Sequence, residues 1–177
     1  MDQIKKGNTH IYTGNGKGKT TSALGRVLRA TGQGRTTLFI MFMKDYPYGE
    51  IRSLARLNDL VTLEQYGNDT FVFNKQPPDK TDLEAARRAL ARARDAFHSA
   101  RYDIVVLDEI CVAIYFTLLK TRDVLDLLKE KPDSVELILT GRYCPSELIE
   151  KADSVTEMRE IRHYYQKGVI SRKGIES

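Results

Sequence analysis

This sequence predicts an α/β fold, a mostly parallel sheet flanked by helices on both faces. Three observations lead there. Short apolar runs of strand length alternate with helix-like segments along the chain. One run, "YDIVVLDEI", is apolar almost without a break, as a parallel strand buried on both faces must be. A glycine-rich turn also joins the first apolar run directly to a helix. No repeat, low-complexity tract or linker interrupts the pattern, so residues 1–177 read as one domain.

The elements follow in order. "HIYTG" is the first strand, and the helix after it runs from Lys19 to about Ala30, ended by Gly32 and Gly34. "TTLFIMF" (Thr36–Phe42) is the second strand, followed by a charged helix around Glu50–Arg56. "LVTLEQY" (Leu60–Tyr66) is the third. After the loop "NKQPPDK", Thr81 and Glu84 suggest a capping box opening a helix. Its apolar residues Leu83, Ala86, Leu90, Ala93 and Phe97 recur at steps of three and four, forming one stripe. The strand "YDIVVLDEI", the helix "TRDVLDLLKEKP" and the strand "SVELILTGR" come next. "CPSELIEKA" reads as a helix with Pro145 in its first turn, and "DSVTEM" as a last short strand before a basic tail.

Composition narrows the function classes. With 41% hydrophobic and 29% charged residues, the chain is that of an ordinary soluble protein. No apolar run approaches the ~18 residues of a membrane span, and the N-terminus lacks a signal-peptide pattern, so a cytoplasmic location is expected. A net charge of +4 suits anionic small ligands and decides nothing alone. Basic residues of the tail alternate with acids, so a nucleic-acid partner is not expected. Cys111 and Cys144 are isolated, without the spacing of a zinc or iron–sulfur site.

The chemistry begins at "TGNGKGKTT". It is one residue short of the phosphate-binding pattern G-x-x-x-x-G-K-[ST], because Thr13 stands where the first glycine belongs. Gly14, Gly16 and Gly18 still allow successive N–H groups to turn around an anion, and the helix start adds its positive dipole end. Lys19 supplies a charge for phosphate oxygens, Lys17 a further cation, and the Thr20 hydroxyl a ligand for Mg²⁺. Asp108 and Glu109 end a buried strand, where open α/β sheets bind ligands, and either can hold the metal directly or through water. Loop and acids together predict a P-loop domain binding Mg·ATP or another triphosphate. Candidate nucleotide contacts are Thr13, Gly14, Asn15, Gly16, Lys17, Gly18, Lys19, Thr20, Thr21 and, after a later strand, Arg142.

The chain as a whole resembles the P-loop class of ATP:corrinoid adenosyltransferases. The resemblance rests on "GNGKGKTT", "FMK", "VVLDEI", "LTGRYCPSELIEKADSVTEM" and the closing "GVISRKGIE". It implies a RecA-like P-loop domain in which a corrinoid Co(I) attacks the 5′-carbon of ATP and triphosphate leaves. It further implies Mg²⁺ (or Mn²⁺), an external flavin-type electron donor and a homodimer. Lys19, Thr20 and Glu109 would be the catalytic set, with Thr20, Asp108 and Glu109 around the metal. Corrinoid contacts would come from Lys44, from Phe71 and Phe73 as side chains keeping cobalt four-coordinate, and from His163 and Tyr164 in the tail. Two other readings share the loop: a P-loop ATPase or kinase releasing ADP, and a non-catalytic nucleotide-dependent corrinoid-binding protein. The nature of the acceptor corrinoid is left open.

Overall fold

The computed structural model of the chain describes residues 4, 6–67 and 78–175. Six strands form one sheet: β1 (Thr9–Thr13), β2 (Thr37–Phe42), β3 (Val61–Tyr66), β4 (Ile104–Asp108), β5 (Glu136–Thr140) and β6 (Ser154–Glu157). Their spatial order is β3-β2-β4-β5-β1-β6, and every pairing is parallel. β1, β2 and β4 are buried along their whole length, and in β2 and β4 the sequence is accordingly apolar almost without alternation. β6 lies exposed at one edge.

Among the described residues, six α-helices cover the sheet: α1 (Lys19–Thr31), α2 (Gly49–Leu54), α3 (Lys80–Ser99), α4 (Ile110–Tyr115), α5 (Thr121–Glu130) and α6 (Ser146–Ile149). Successive strand residues point to opposite faces, and the packing follows that alternation. Phe39, Met41, Val106 and Ile138 meet Ala23 and Val27 of α1 and Leu54 of α2. Leu38, Ile40, Leu107 and Leu139 meet the apolar residues of α3, α4 and α5. Helices on both faces follow from parallel pairing, because each strand needs a crossover before the next. Burying a side chain such as Phe39 or Leu107 contributes about 1.5–3 kcal/mol, so these two layers dominate the fold's stability.

Two features differ from what the sequence suggests. α3 is capped by Asp79, whose carboxylate accepts from the Asp82 N–H at 3.0 Å; Thr81 lies inside the first turn. The expected stripe is otherwise present, with Ala86, Leu90, Ala93 and Phe97 buried. The second difference is α4, which follows β4 after a single residue. Its sequence "ICVAIY" is apolar enough to read as more strand, but Glu109 turns the chain with a left-handed φ of 64°. Pro145 immediately precedes α6, and α2 runs on into a 3₁₀ turn at Ala55–Leu57. Phe71 and Phe73 lie outside the described residues. Among those residues, no helix is long and apolar enough to cross a membrane.

The parallel arrangement brings the carboxyl ends of β1, β2, β4 and β5 to one edge. Those ends lead into the glycine loop, Lys44, Glu109 and Arg142 respectively.

The cap assignment has a direct check. Asp79→Ala should lower unfolding free energy by about 1 kcal/mol, while Thr81→Ala should change it by less than about half that. Urea denaturation of the two variants decides between them, and a larger loss at Thr81 would restore the capping box.

Candidate active site

The loop between β1 and α1 folds because its glycines take conformations closed to other residues. Gly14 and Gly18 have φ of +90° and +108°. A Cβ on Gly14 would also stand 2.5 Å from the Met158 carbonyl oxygen. That carbonyl accepts from the Gly16 N–H at 2.7 Å, so the loop is seated on the chain leaving β6. Lys19 reaches back across the loop, donating to the carbonyls of Gly14 (2.8 Å) and Gly16 (2.7 Å). Burial lowers its ammonium below the ordinary lysine value; Glu109 opposes this and Arg142 adds to it.

Asp108 is fully buried behind the loop and is the hub of the site. One carboxylate oxygen accepts from the hydroxyls of Thr20 (2.8 Å) and Thr140 (2.7 Å). The other accepts from the Lys44 ammonium at 2.7 Å. Burial would lower the Lys44 pKa, but the adjacent Asp108 carboxylate more than offsets that and holds it above the ordinary value. The Thr140 hydroxyl in turn accepts from the Glu109 N–H at 2.9 Å, fixing the backbone where it turns into α4.

A cleft of about 640 Å³ opens over these groups. Of the loop, Gly16 to Thr21 line it, whereas Thr13, Gly14 and the exposed Asn15 do not. Thr13 is buried and accepts from the Cys144 N–H at 3.4 Å. Lys44, Glu109 and the exposed Arg142 complete the charged wall. Of the two acids, then, Glu109 faces the cleft and Asp108 does not. Burial, and secondarily the neighbouring Asp108, raise the Glu109 pKa; Lys44, Lys19 and Arg142 pull it down by less.

Other parts of the wall come from residues that carried no motif. Tyr48, Glu50 and Ser53 line the side opposite the loop, and Gly174 and Ile175 reach the cleft from the tail. Thr140 was legible in principle, as the one polar residue among the buried positions of "LILT". Tyr164 accepts a hydrogen bond from Lys17, and its ring also lies beneath the Lys17 ammonium (4.6 Å) and near the Arg172 guanidinium (5.1 Å). His163 caps the 3₁₀ turn Tyr164–Lys167, accepting from the Tyr165 N–H at 3.0 Å; neither His163 nor Tyr164 lines the cleft.

Among the described residues there is no group of three or more His, Cys, Asp or Glu side chains that could hold a metal. The oxygen donors Thr20 and Glu109, beside the glycine-rich loop, fit a hard cation that takes most of its shell from water and other oxygen ligands.

Comparison with known proteins gives the family. Residues 5–177 match the family model described as ATP:corrinoid adenosyltransferase BtuR/CobO/CobP. The chain is similar to the corrinoid adenosyltransferase of Escherichia coli K12, at 33% identity over 98% of this chain and 87% of that protein. It is similar to corrinoid adenosyltransferase CobA of Salmonella typhimurium, at 31% over 98% and 87%. The corrinoid adenosyltransferase of Pseudomonas aeruginosa is 31% identical over 97% of this chain and 84% of that protein.

The environment of Glu109 generates a stability prediction. Its carboxyl holds a proton more tightly in the fold than in the unfolded chain. It therefore costs nothing below the unfolded pKa and progressively more as pH rises through the folded one. Glu109→Gln should melt above the wild type at neutral pH and lose that advantage toward about pH 4. Thermal melts across that range test it; an advantage independent of pH would overturn the argument.

Proposed function

Because the chain belongs to the ATP:corrinoid adenosyltransferase family, we propose how its own residues divide the work of that reaction. The enzyme transfers the 5′-deoxyadenosyl group of ATP to the Co(I) centre of a corrinoid, releasing triphosphate, in cobalamin pathways. The nucleophile is the corrinoid's own metal, so the protein must grip a leaving triphosphate, aim the 5′-carbon and keep water away. The observation that carries the assignment is the convergence of Lys19, Lys44 and Arg142 with Glu109 and the loop amides on one cleft.

In this reading, residues 1–177 act as a single domain. Gly16, Lys17 and Gly18 direct N–H groups at the phosphates, and Thr13, Gly14 and Asn15 hold the loop in shape. Lys19 exchanges its two carbonyl partners for phosphate oxygens, a trade eased by an ammonium that burial already disfavours. Thr21 and Arg142 bind the outer phosphates. Thr20 and Glu109 would hold Mg²⁺, or Mn²⁺ in its place, with Asp108 orienting Thr20 from behind. Bound there, the metal neutralises charge on the departing triphosphate. Lys44 is tied to Asp108 and serves both substrates at the cleft's edge. Tyr164 and His163 brace the tail against Lys17 and reach the corrinoid from that side. Phe71 and Phe73 remain candidates for the face of the corrin opposite the adenosyl group. An external flavin-type donor supplies the electron that makes Co(I), the enzyme is a homodimer, and it works in the cytoplasm.

The test is an anaerobic assay with chemically reduced corrinoid, Mg²⁺ and ATP. We expect loss of the Co(I) spectrum, a light-sensitive adenosyl–cobalt product and free triphosphate in equal amount. Lys19→Ala should slow turnover at least about 100-fold. ADP and phosphate without a cobalt–carbon bond would instead establish an ATPase.

A further inference from the structure

A separate cleft, of about 520 Å³, opens at the edge of the sheet opposite the nucleotide cleft. Ile104 and Glu136, the first residues of β4 and β5, line it, so it lies at the amino ends of the strands. The two clefts share no residue. Its apolar lining is Ile4, Ala30, Ile104 and Ile138, and the last two are buried members of the sheet. Around that floor stand three guanidinium groups. Arg26 and Arg29 come from α1, three residues apart and so neighbours on its surface, and Arg35 comes from the chain just after it. The Gln33 amide completes the rim.

Two carboxylates lie close by, and both are engaged. Glu136 accepts from the Asn8 N–H at 2.7 Å and from the His10 ring. Asp103 accepts from the Thr36 N–H at 2.9 Å and from Arg35 at 3.2 Å. Arg26 gives its Nε–H to the Tyr12 hydroxyl, and its Nη1 stands 3.8 Å from Glu136, beyond hydrogen-bond reach. The exposed Arg29 side chain makes no hydrogen bond or ion pair with another described residue. A single basic residue in the last turn of a helix answers the helix dipole. Three guanidiniums around a floor of isoleucine and alanine are not explained by that dipole.

We propose that this cleft binds a small organic anion, an apolar body carrying a phosphate or carboxylate group. Guanidinium forks meet either oxyanion with paired, charge-assisted N–H donors. The isoleucine floor gives an inorganic ion nothing to bury, so the fitting ligand carries both parts. The volume lies within the range of small-molecule sites, roughly 300–1,000 Å³. Arg26 and Arg29 also belong to the helix that opens with Lys19 and Thr20, and Arg26 is tied to β1 through Tyr12. A ligand here therefore holds the far end of the helix whose start lines the nucleotide cleft, without competing for that cleft.

The test is titration calorimetry of the full chain in excess Mg·ATP, which occupies the nucleotide cleft. The probes are 1-naphthyl phosphate, 1-naphthoate, inorganic phosphate and neutral 1-naphthol. One of the two naphthyl anions should bind saturably, and the tighter of them identifies the anionic group the site takes. Inorganic phosphate and 1-naphthol, each lacking half of the ligand, should bind at least about tenfold more weakly. Arg29→Glu reverses a charge at an exposed position and should weaken the better anion at least about tenfold. Gln33→Glu, at a second exposed position, should weaken it in the same direction, and melting temperatures confirm that both variants are folded. No saturable binding of either naphthyl anion, or binding that both variants leave unchanged, overturns the site. Inorganic phosphate binding as tightly as 1-naphthyl phosphate overturns the organic ligand.

Discussion

The geometry of the cleft depends on one buried carboxylate. Asp108 has no exposure to water, and its two oxygens together take three donors: Thr20 at the start of α1, Lys44 after β2, and Thr140 at the end of β5. Three separate stretches of chain are thereby held to one point. The first positions the Thr20 hydroxyl, the second a cation of the cleft, and the third, through its own oxygen, the backbone that presents Glu109.

Such a site is expensive to build. A buried ion pair often contributes little net stability, because desolvating both charges consumes most of their attraction. What Lys44 and Asp108 supply is direction, since each fixes where the other points. The same low-polarity surroundings that stiffen this pair push Glu109 toward its neutral form and Lys19 toward deprotonation. Both groups therefore have reason to welcome a ligand that brings the opposite charge, a triphosphate for one and a divalent cation for the other. Strain at the site and readiness to bind have a common cause.

Much of this was readable before any coordinates. β1, β4 and the loop between β1 and α1 each carry a local signal: continuous burial, terminal acids, and glycines ahead of Lys19 and Thr20. The division between Asp108 and Glu109 was not readable, because adjacent residues differ only in the face on which the chain places them. α4 was hidden because "ICVAIY" is as apolar as the strand before it, and the left-handed turn at Glu109 has no marker in residue type. The Asp79 cap lost to a better-looking pattern two residues on. Tyr48, Tyr115 and Tyr143 are isolated in sequence; strand order alone makes them neighbours.

Gly141 carries a mechanical consequence. Its φ is +137°, and a Cβ there would lie 2.8 Å from the Cβ of Cys111 and 3.0 Å from the Val112 nitrogen. The turn after β5 and the first turn of α4 are thus in near-backbone contact, one residue before Arg142 and two after Glu109. These walls cannot part without breaking that contact. On the opposite side of the cleft the loop before α2 is tied to the helix by the hydrogen bond from the Ile51 N–H to the Tyr48 carbonyl (3.2 Å). The pair of strands that carry the acid and the arginine is thereby fixed as a unit at the back of the cleft.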